Sequence, residues 1–482
     1  MKAHATPEIQ VGGAVDPSAQ LYLLRDADED LARLLSAHEF VNVVTSRQMG
    51  KTSLVFRAIS QLGPMGFRSA YFDLAPLRTQ ANAQVYYRTV VREIARGLGI
   101  DDLLDGFWKR RDNIAPSQGF IDFFRMMLDR IGAPVVIVLD EIDSTLELDF
   151  TDDLFAAIRS IYISRPLESA FKRLAFCLVG VAAPNELIKS RRTTPYNVGI
   201  TLWLRDFDAA RDNLSPLAHA LHSNIDFAKQ LLGRVLYWTS GQPYLTAWLC
   251  RELQRNRAGS VRVVDELVGR VFTTLEQVRQ DSHFDQTLRF IGDRTNGVGV
   301  VDLYGQVLSG AQEPDQAANL VYSHLKLSGL VKISHDGNLV PRNRIYERLF
   351  NAAWVEKSRA KLGLDGKRET VARCRSLANE QPDLYLPQLV MRLAELCAAL
   401  SEAGLDDEAL EVSQEIHARG RELAATGGEL TLRDLADNLN RQGVLQAALG
   451  RSITRAAASQ HLVIRHLGGR KFAVMRQLLR LH

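Results

Sequence analysis

The stretch FVNVVTSRQMGKTSLVF, Phe40 to Phe56, passes from an apolar run into a polar loop and then into a helical segment. Gly50, Lys51 and Thr52 complete the phosphate-loop pattern G-x-x-x-x-G-K-[ST], with Thr45 in the place of the first glycine. In such a loop backbone N–H groups surround a phosphate, the lysine neutralises the β- and γ-phosphates, and the hydroxyl binds Mg²⁺. We predict a nucleotide-binding loop, against the alternative of an ordinary strand-turn-helix corner. Its residues are Thr45, Ser46, Arg47, Gln48, Met49, Gly50, Lys51, Thr52 and Ser53.

The whole chain has the composition of an ordinary globular protein, with 482 residues, 46% hydrophobic and 24% charged, and a net charge of +3. This length predicts about two to four domains. Four widely separated cysteines argue against a disulfide framework or a zinc site and favour a cytoplasmic location. No apolar run reaches the roughly 18 residues of a membrane span, and residues 1–20 lack a signal-peptide core. We expect a flexible leader and no membrane partner.

A second informative run, Pro134 to Asp143, places apolar residues before the acidic pair Asp140 and Glu141. This pattern is typical of a fully buried parallel strand whose carboxyl end reaches a site. Together with the phosphate loop it indicates a Walker B strand. Asp140 would then hold Mg²⁺ through water, and Glu141 would act as the catalytic base toward the attacking water. The alternative is a buried strand that ends in solvated acids, and we expect Asp143 to cap the next element.

Strand-like and helix-like segments alternate over residues 21–205, which predicts a P-loop NTPase domain, α/β, with a parallel sheet and helices on both faces. The predicted strands are Phe40–Val44, Phe67–Leu74, Val135–Leu139, Leu174–Val179 and Ile200–Leu204. The predicted helices include Asp28–Ala37, Thr52–Gln61, Ala83–Leu98 and Asp152–Ser164. The fourth strand ends in apolar residues, so only Asn185 is named as a candidate sensor of the γ-phosphate.

Helical periodicity begins near Phe207 and continues to the end of the chain. Gly241, Gln242 and Pro243 form a rigid turn that starts a new helix, with proline in its first turn. After an ATPase core this turn indicates a helical lid over residues 206–280. By itself it would indicate only a helix break.

Residues 281–358 predict a winged helix, because three helical segments precede two short β runs joined by a DG turn. A closing helix is expected from Asn343 to Trp354. Winged helices suggest DNA, but the third helical segment has few cations, and phosphate contacts need Lys and Arg. We therefore favour an internal packing or sensing role over nucleic-acid binding.

Residues 359–482 predict an all-helical region with two similar units. An offset of 46 residues pairs Leu389 with Leu435 and Gly404 with Gly450, which indicates a short helical solenoid. The last segment, residues 451–482, carries seven Lys or Arg and no Asp or Glu. It could bind nucleic acid or an acidic partner, and the favoured alternative is a solvated basic helix pair.

Several stretches together resemble the AAA-like subset of the STAND ATPases, signal-transduction NTPases with numerous domains found in bacteria. The stretches are YLLRDADEDL, VVTSRQMGKTSL, VVIVLDEID, GVAAPNELI, TPYNVG, SGQPYLTAWLC and RNRIYERLFNAAWV. The C-terminal stretch PDLYLPQLVMRLAELCAALSEAGLDDEALEVSQEI is similar to tetratricopeptide repeats. The resemblance implies an ATP/ADP switch with slow, regulatory hydrolysis in signalling or defence. It also implies a homo-oligomer in the ATP state and a protein partner that the C-terminal repeats would sense.

The resemblance also assigns residues. It supports the phosphate and Mg²⁺ roles of Lys51, Thr52 and Asp140 and the catalytic role of Glu141, and it places Pro243 against the adenine. Tyr22 and Arg25 fall where the family's N-terminal segment borders the base. Asn343 lies near the winged-helix position that senses the β-phosphate of ADP, with His335 as an alternative.

Two departures from the family pattern matter. Thr45 is β-branched and resists the positive φ that glycine permits, so we expect a loop of different shape, tight nucleotide retention and slow turnover. No effector domain precedes the ATPase in this sequence, so any output is expected to run through a partner. The alternatives are a DNA-associated ATPase that uses the winged helix and the basic C-terminus, and a scaffold whose nucleotide is structural.

Overall fold

A computed structural model of the chain describes residues 7–111, 113–181, 198–292, 296–316 and 319–425. The chain divides into two compact units, residues 1–294 with 299–352 and residues 295–298 with 353–482. The predicted ATPase core, lid and winged-helix segments therefore lie almost entirely within one unit.

A parallel sheet forms the centre of the first unit. In the described residues it has five strands in the order β2-β3-β4-β1-β5. The strands are β1 (Val41–Val44), β2 (Arg68–Asp73), β3 (Val135–Asp140), β4 (Leu174–Gly180) and β5 (Ile200–Trp203). Every residue of β3 and β4 is buried, as their uninterrupted apolar sequences predict. β1 and β3 are separated by β4 alone, so the phosphate loop after β1 and the acids after β3 meet at one edge of the sheet.

Helices cover both faces of this sheet. They are α1 (Asp26–Ser36), α2 (Lys51–Leu62), α3 (Ala83–Leu98), α4 (Pro116–Ile131) and α5 (Thr151–Ile163). Val135, Ile137 and Leu139 of β3 pack in one apolar cluster with α3, α4 and α5. Val136 and Val138 face the opposite cluster with α1 and α2. Because successive side chains of a strand point to opposite faces, β3 contributes to both apolar clusters. The prediction of a parallel sheet between helical layers is confirmed.

A group of short helices follows the sheet. They are α6 (Ser215–Leu221), α7 (Ile225–Thr239), α8 (Pro243–Arg255), α9 (Arg262–Val271) and α10 (Leu275–Val278). The turn between α7 and α8 needs glycine, because Gly241 has φ of 80° and a Cβ there would meet the carbonyl of Phe207 at 1.9 Å. Pro243 begins α8, and the Gln242 side chain accepts a hydrogen bond from the N–H of Leu245 at 2.6 Å. Both features match the predicted rigid turn.

Residues 282–350, hereafter the hairpin module, combine helices with a two-stranded antiparallel sheet. Its elements are α11 (Ser282–Gly292), α12 (Gly297–Leu308), α13 (Leu320–Ser328), β6 (Val331–Ile333), β7 (Leu339–Pro341) and α14 (Arg344–Leu349). The element order is the one predicted for residues 281–358. The closing helix is shorter than expected: α14 ends at Leu349, because Phe350 has φ of −102° and ψ of 52° and leaves the helical conformation.

The N-terminal segment corrects one expectation. Residues 1–20 were expected to form a flexible leader, yet residues 9–15, hereafter the N-terminal strap, pack against the first unit. The N–H of Ile9 donates to the side chain of Gln254 at 3.2 Å, and the N–H of Val15 donates to Ser53 Oγ at 2.9 Å. These distant partners order a segment whose local sequence is rich in glycine and small residues.

The second unit contains the helices α15 (Ala352–Glu380), α16 (Pro382–Glu402) and α17 (Asp406–Ala425). By length and composition α16 could cross a membrane, although no apolar run of the sequence was expected to be long enough to do so. Its residues Leu389, Leu393 and Leu400 are buried in an apolar cluster shared with α15 and α17, as in the core helix of a globular protein. The second predicted repeat unit and the basic segment 451–482 lie outside the described residues.

Candidate nucleotide site

The phosphate loop joins β1 to α2 and carries its left-handed residues where the turn is tightest. Gln48 has φ of 58° and Gly50 has φ of 86°. The Lys51 side chain is buried and folds back over the loop, with Nζ 3.3 Å from the carbonyl oxygen of Thr45 and 3.2 Å from that of Ser46. Burial lowers the pKa of Lys51, and the acids beyond β3 oppose this shift. A cation that donates to loop carbonyls is placed to exchange them for phosphate oxygens.

The backbone of Thr45 does not adopt the positive φ that a glycine at this position of the pattern would permit. The Thr45 hydroxyl donates to the carbonyl of Leu204 at 3.3 Å. The side chain is buried between β1 and the end of β5 rather than in the cleft. The expected strain at this position therefore does not arise, and the loop takes its turn from Gln48 and Gly50 instead.

We expect Thr45→Gly to leave ADP affinity within about threefold of wild type. The variant should lower the free energy of unfolding by about 1 kcal/mol, because it removes a buried hydrogen bond and adds backbone freedom to the unfolded chain. Isothermal titration with ADP and denaturant unfolding test the two expectations. A tenfold gain in affinity would show instead that threonine distorts the loop.

Asp140 and Thr52 form the second half of the site. Thr52 Oγ1 donates to Asp140 Oδ2 at 3.0 Å, and Tyr71 OH donates to the same oxygen at 2.8 Å. The N–H of Glu141 donates to Asp140 Oδ1 at 2.8 Å. Asp140 is buried, and both of its oxygens accept hydrogen bonds, which hold the carboxylate in one orientation.

These residues fit Mg²⁺ as nucleotide sites hold it. Mg²⁺ takes one or two hard oxygen ligands from such proteins and the rest from phosphates and water. The Thr52 hydroxyl and the Asp140 carboxylate are donors of that kind and lie next to each other. Within the described part of the chain no group of three or more His, Cys, Asp or Glu side chains could hold a metal by itself. A metal bound together with a nucleotide therefore suits this edge of the sheet.

Glu141 stands at the start of a short 3-10 helix, Ile142–Glu147, with φ of 54° and ψ of 44°. Burial raises the pKa of Glu141, and the nearby Asp143 carboxylate raises it further. Arg47 Nη1 lies 3.3 Å from Glu141 Oε2, and Arg47 Nη2 lies 3.3 Å from Asp143 Oδ2. Asp143 does not take the expected capping role: Glu141 holds the cap position, and Asp143 accepts a hydrogen bond from the N–H of Val181.

A cleft of about 370 Å³ opens in front of these groups, a size typical of small-molecule sites. Predicted site residues that line it are Tyr22, Arg25, Arg47, Gln48, Met49, Gly50, Lys51, Thr52, Ser53, Glu141 and Pro243. Three other predicted site residues, Thr45, Ser46 and Asp140, are not among the residues that line it. The cleft thus gathers segments from the N-terminus, the phosphate loop, the acidic end of β3 and the first turn of α8.

Other lining residues were not predicted, and they extend the cleft beyond the phosphate loop. They are Ile9, Gln10, Gly12, Gly13, Ala14, Val15, Leu21, Leu23, Phe207, Leu217, Tyr244, Ala247 and Gln286. Only Tyr244 had a local signal, since it follows Pro243 in the lid turn. Ile9, Leu217 and Phe207 add apolar side chains to this lining.

Tyr22 and Arg25 reach the cleft in different ways. The Tyr22 hydroxyl donates to the carboxylate of Asp28. The Arg25 guanidinium is buried and donates to the carbonyl of Met49 at 2.9 Å and to that of Arg205 at 3.2 Å. Arg25 therefore supports the phosphate loop and the end of β5 as well as bordering the cleft.

The sensor candidates lie elsewhere. Asn185 falls outside the described residues. Asn343 is buried and caps α14, accepting a hydrogen bond from the N–H of Tyr346 at 3.0 Å, and it does not line the cleft. His335 is exposed near the tip of the β6–β7 turn. Arg342, one residue before Asn343, reaches the phosphate loop, and Ser282 of α11 also contacts it, 3.5 Å from Gln48 Nε2.

Arg342 connects the hairpin module to the loop through buried contacts. Its guanidinium lies 2.8 Å from Asp206 Oδ1, 2.9 Å from Met49 Sδ and 3.4 Å from Ser46 Oγ. A second connection runs from the cleft itself: Tyr244 stacks on His283 at 4.7 Å, and His283 Nε2 lies 2.7 Å from Tyr346 OH. Burial lowers the pKa of His283 to about 3, so this imidazole is neutral at physiological pH. The module therefore contacts both the phosphate loop and Tyr244, a residue that lines the cleft.

Comparison with known proteins agrees with this geometry. A family model described as AAA-like domain matches residues 10–352, more than half of the chain. The chain belongs to the AAA-like domain family. The match begins within the N-terminal strap and extends through the hairpin module.

The proteins similar to this chain either have low sequence identity to it or are much longer than it. An uncharacterized WD repeat-containing protein of Synechocystis sp. is 33% identical over 370 residues, which cover 73% of this chain and 31% of the relative. The chain thus spans about a third of that relative's length. The ORC2 protein of Aeropyrum pernix, in ADPNP-ADP complexes, is 16% identical with a TM-score of 0.41, covering 72% of this chain and 96% of that chain. A STAND protein with a tetratricopeptide repeat sensor from Pyrococcus horikoshii is 11% identical with a TM-score of 0.28, covering 94% of this chain and 72% of that chain.

Proposed function

We propose that this AAA-like protein is a STAND-type switch that binds ATP and ADP and hydrolyses ATP slowly. One observation carries the proposal: Lys51, Thr52 and Glu141 line the cleft with Asp140 hydrogen-bonded to Thr52, and a distant module contacts the same phosphate loop through Arg342. The first part of this observation supports catalysis. The second supports control, because a segment that touches the loop can respond to what the loop binds.

The proposed reaction needs few groups from the protein. An oxygen of water forms a bond to the γ-phosphorus while the bond to the β–γ bridging oxygen breaks, giving ADP and inorganic phosphate. Glu141 orients the water and accepts its proton, and Lys51 offsets the negative charge of the phosphates. Mg²⁺, held by Thr52 and through water by Asp140, would supply further charge neutralisation when bound. The ion pair between Glu141 and Arg47 must be compatible with the position of this water.

The adenine would lie against apolar side chains of the cleft. Pro243 and Tyr244 of α8 and Ile9 of the N-terminal strap are among the residues that line it. The strap is held both to α8, through Gln254, and to α2, through Ser53. A ligand enclosed by such a strap would leave slowly, which supports tight ADP retention. Free, buried cysteines and the need for ATP agree with a cytoplasmic location.

In this proposal the hairpin module acts as an internal winged helix rather than as a DNA reader. Its third helix, α13, contains Lys326, which pairs with Asp315 at 2.8 Å and is nearly buried. The helices of the second unit would sense a protein partner, as tetratricopeptide repeats do. The ATP state would then release the module from the loop and expose a surface for assembly.

The test is the mass of the full-length protein in solution with ADP and with a non-hydrolysable ATP analogue. We expect a monomer that retains ADP through purification and a larger species with the analogue. Glu141→Gln should form the larger species with ATP itself, because it binds but does not hydrolyse. The same mass in both nucleotides would contradict the switch. Absence of adenine nucleotide binding at micromolar protein would remove the proposal altogether.

A further inference from the structure

Arg47 lies at the centre of the acidic end of the sheet, in a position that a phosphate-loop pattern leaves free. Its guanidinium bridges Glu141 and Asp143, with both closest N–O distances at 3.3 Å. The Arg47 side chain is 38% exposed and the two acids are 27% and 15% exposed. The bridge therefore faces the cleft, where solvent and ligand can both reach it.

The far end of this bridge is fixed to the sheet. Asp143 Oδ1 accepts a hydrogen bond from the N–H of Val181 at 2.9 Å, just beyond β4. Gly180 makes this approach possible, since a Cβ there would lie 2.8 Å from Asp143 Oδ1 and 2.6 Å from Ile142 Cγ1. Asp143 is therefore an anchored acceptor, and Arg47 bonded to it has little freedom to turn.

The near end of the bridge is the proposed base. Glu141 adopts a left-handed backbone conformation, which costs a non-glycine residue about 1 kcal/mol or more and is found mostly where the surroundings enforce it. A second carboxylate, that of Asp143, lies close enough to interact electrostatically with the Glu141 carboxylate, and two such groups repel each other. The planar fork of an arginine can bond to both and fix their relative orientation, which a lysine ammonium does less well.

We propose that Arg47 is a positioning residue for hydrolysis, held by Asp143 and holding the carboxylate of Glu141 toward the cleft. The inference rests on the proposed ATPase function. Asp143 anchors Arg47, and Arg47 in turn orients Glu141, the proposed base. Catalytic bases are commonly held by such a series of contacts. In this assignment Arg47 acts through Glu141, and the phosphates are bound by the other loop groups.

The test compares Arg47→Gln and Arg47→Lys with wild type in steady-state ATP hydrolysis and in ADP titrations with and without Mg²⁺. Arg47→Gln should lower kcat at least tenfold and leave KM and ADP affinity within about threefold, because only the orientation of the base is lost. Arg47→Lys should recover part of kcat. Arg33→Gln, which removes a guanidinium from an exposed pair with Asp30, is the matched control and should have no effect.

Two double variants test whether Arg47 works through its neighbours. In Glu141→Gln, adding Arg47→Gln should lower kcat no further. Asp143→Asn keeps an acceptor for Val181 but weakens the anchor, so it should lower kcat, and Arg47→Gln should then add little. Independent, multiplying losses would overturn the chain of contacts, and so would an unchanged or raised kcat in Arg47→Gln.

Other outcomes separate this inference from the proposed function. If Arg47→Gln mainly weakens ADP binding, Arg47 is a phosphate ligand and the positioning role fails. If wild type binds nucleotide but shows no turnover, there is no base to position and the inference fails while nucleotide binding stands. If wild type binds no nucleotide, the proposed function itself has failed.

Discussion

Lys51→Ala is expected to abolish ADP retention and to weaken ADP binding more than 100-fold. At an effective dielectric constant of 20, a unit charge 4 Å from the phosphates contributes about 4 kcal/mol, and every 1.4 kcal/mol is tenfold in affinity. Lys51 is buried and its Nζ already donates to two loop carbonyls, so it is held beside the place where the phosphates would bind. No neighbouring residue of the loop offers an equivalent ammonium.

Thermal unfolding measures this loss directly. A ligand present at 1,000 times its Kd stabilises the folded state by about 4 kcal/mol, so wild type should show a large rise in Tm with ADP. Lys51→Ala should show none. Lys51→Met retains the volume of the aliphatic stem and guards against a loss due to packing, while Lys229→Ala removes an exposed lysine on α7 as a control. An undiminished ADP-dependent rise in Lys51→Met would show that the nucleotide binds elsewhere.

Much of the fold and the centre of the site could be predicted from local sequence. The phosphate loop and the acids after β3 are specified by short spacings, and α3 occupies Ala83–Leu98 as predicted because its apolar residues recur with helical period and Asn82 caps it. The strand ends differ from the predicted ones by at most one residue, where ladder hydrogen bonds rather than hydrophobicity decide the last pair.

The rest depends on contacts between residues far apart in the chain. The N-terminal strap has no periodicity of its own and is ordered by Gln254 and Ser53. Asn343 and Arg342 are adjacent, and nothing in their local sequence indicates which of the two side chains faces the loop. Asn343 is the N-cap residue of α14, so its side chain is used to cap that helix. Asp206 completes the contact from 136 residues away. The sequence pattern thus pointed to a segment that contacts the phosphate loop, but it could not select the side chain that makes the contact.

Arg342→Ala is expected to have the second large effect, on stability and on nucleotide release together. The Arg342 and Asp206 side chains are 6% and 9% exposed and lie 2.8 Å apart. Removing one partner of a buried ion pair leaves an uncompensated charge and typically costs about 3–5 kcal/mol. Arg344→Ala is the matched control, because Arg344 lies two residues away in an exposed contact with Tyr237 and should cost less than about 1 kcal/mol.

The double variant Arg342→Ala with Asp206→Asn separates the ion pair from the switch. Since it removes the stranded charge, it should regain much of the stability while the contact to Met49 and Ser46 stays broken. If Arg342 holds the hairpin module on the phosphate loop, this double variant releases ADP several-fold faster than wild type and forms the larger species without an ATP analogue. If release and mass match those of wild type once stability is regained, Arg342 is only a packing ion pair, and control must reach the cleft through other contacts, such as Tyr244–His283–Tyr346. Stopped-flow release of a fluorescent ADP and the mass in solution distinguish these two roles of Arg342. The ion pair with Asp206 affects stability, whereas the contact with the loop affects ADP release and assembly.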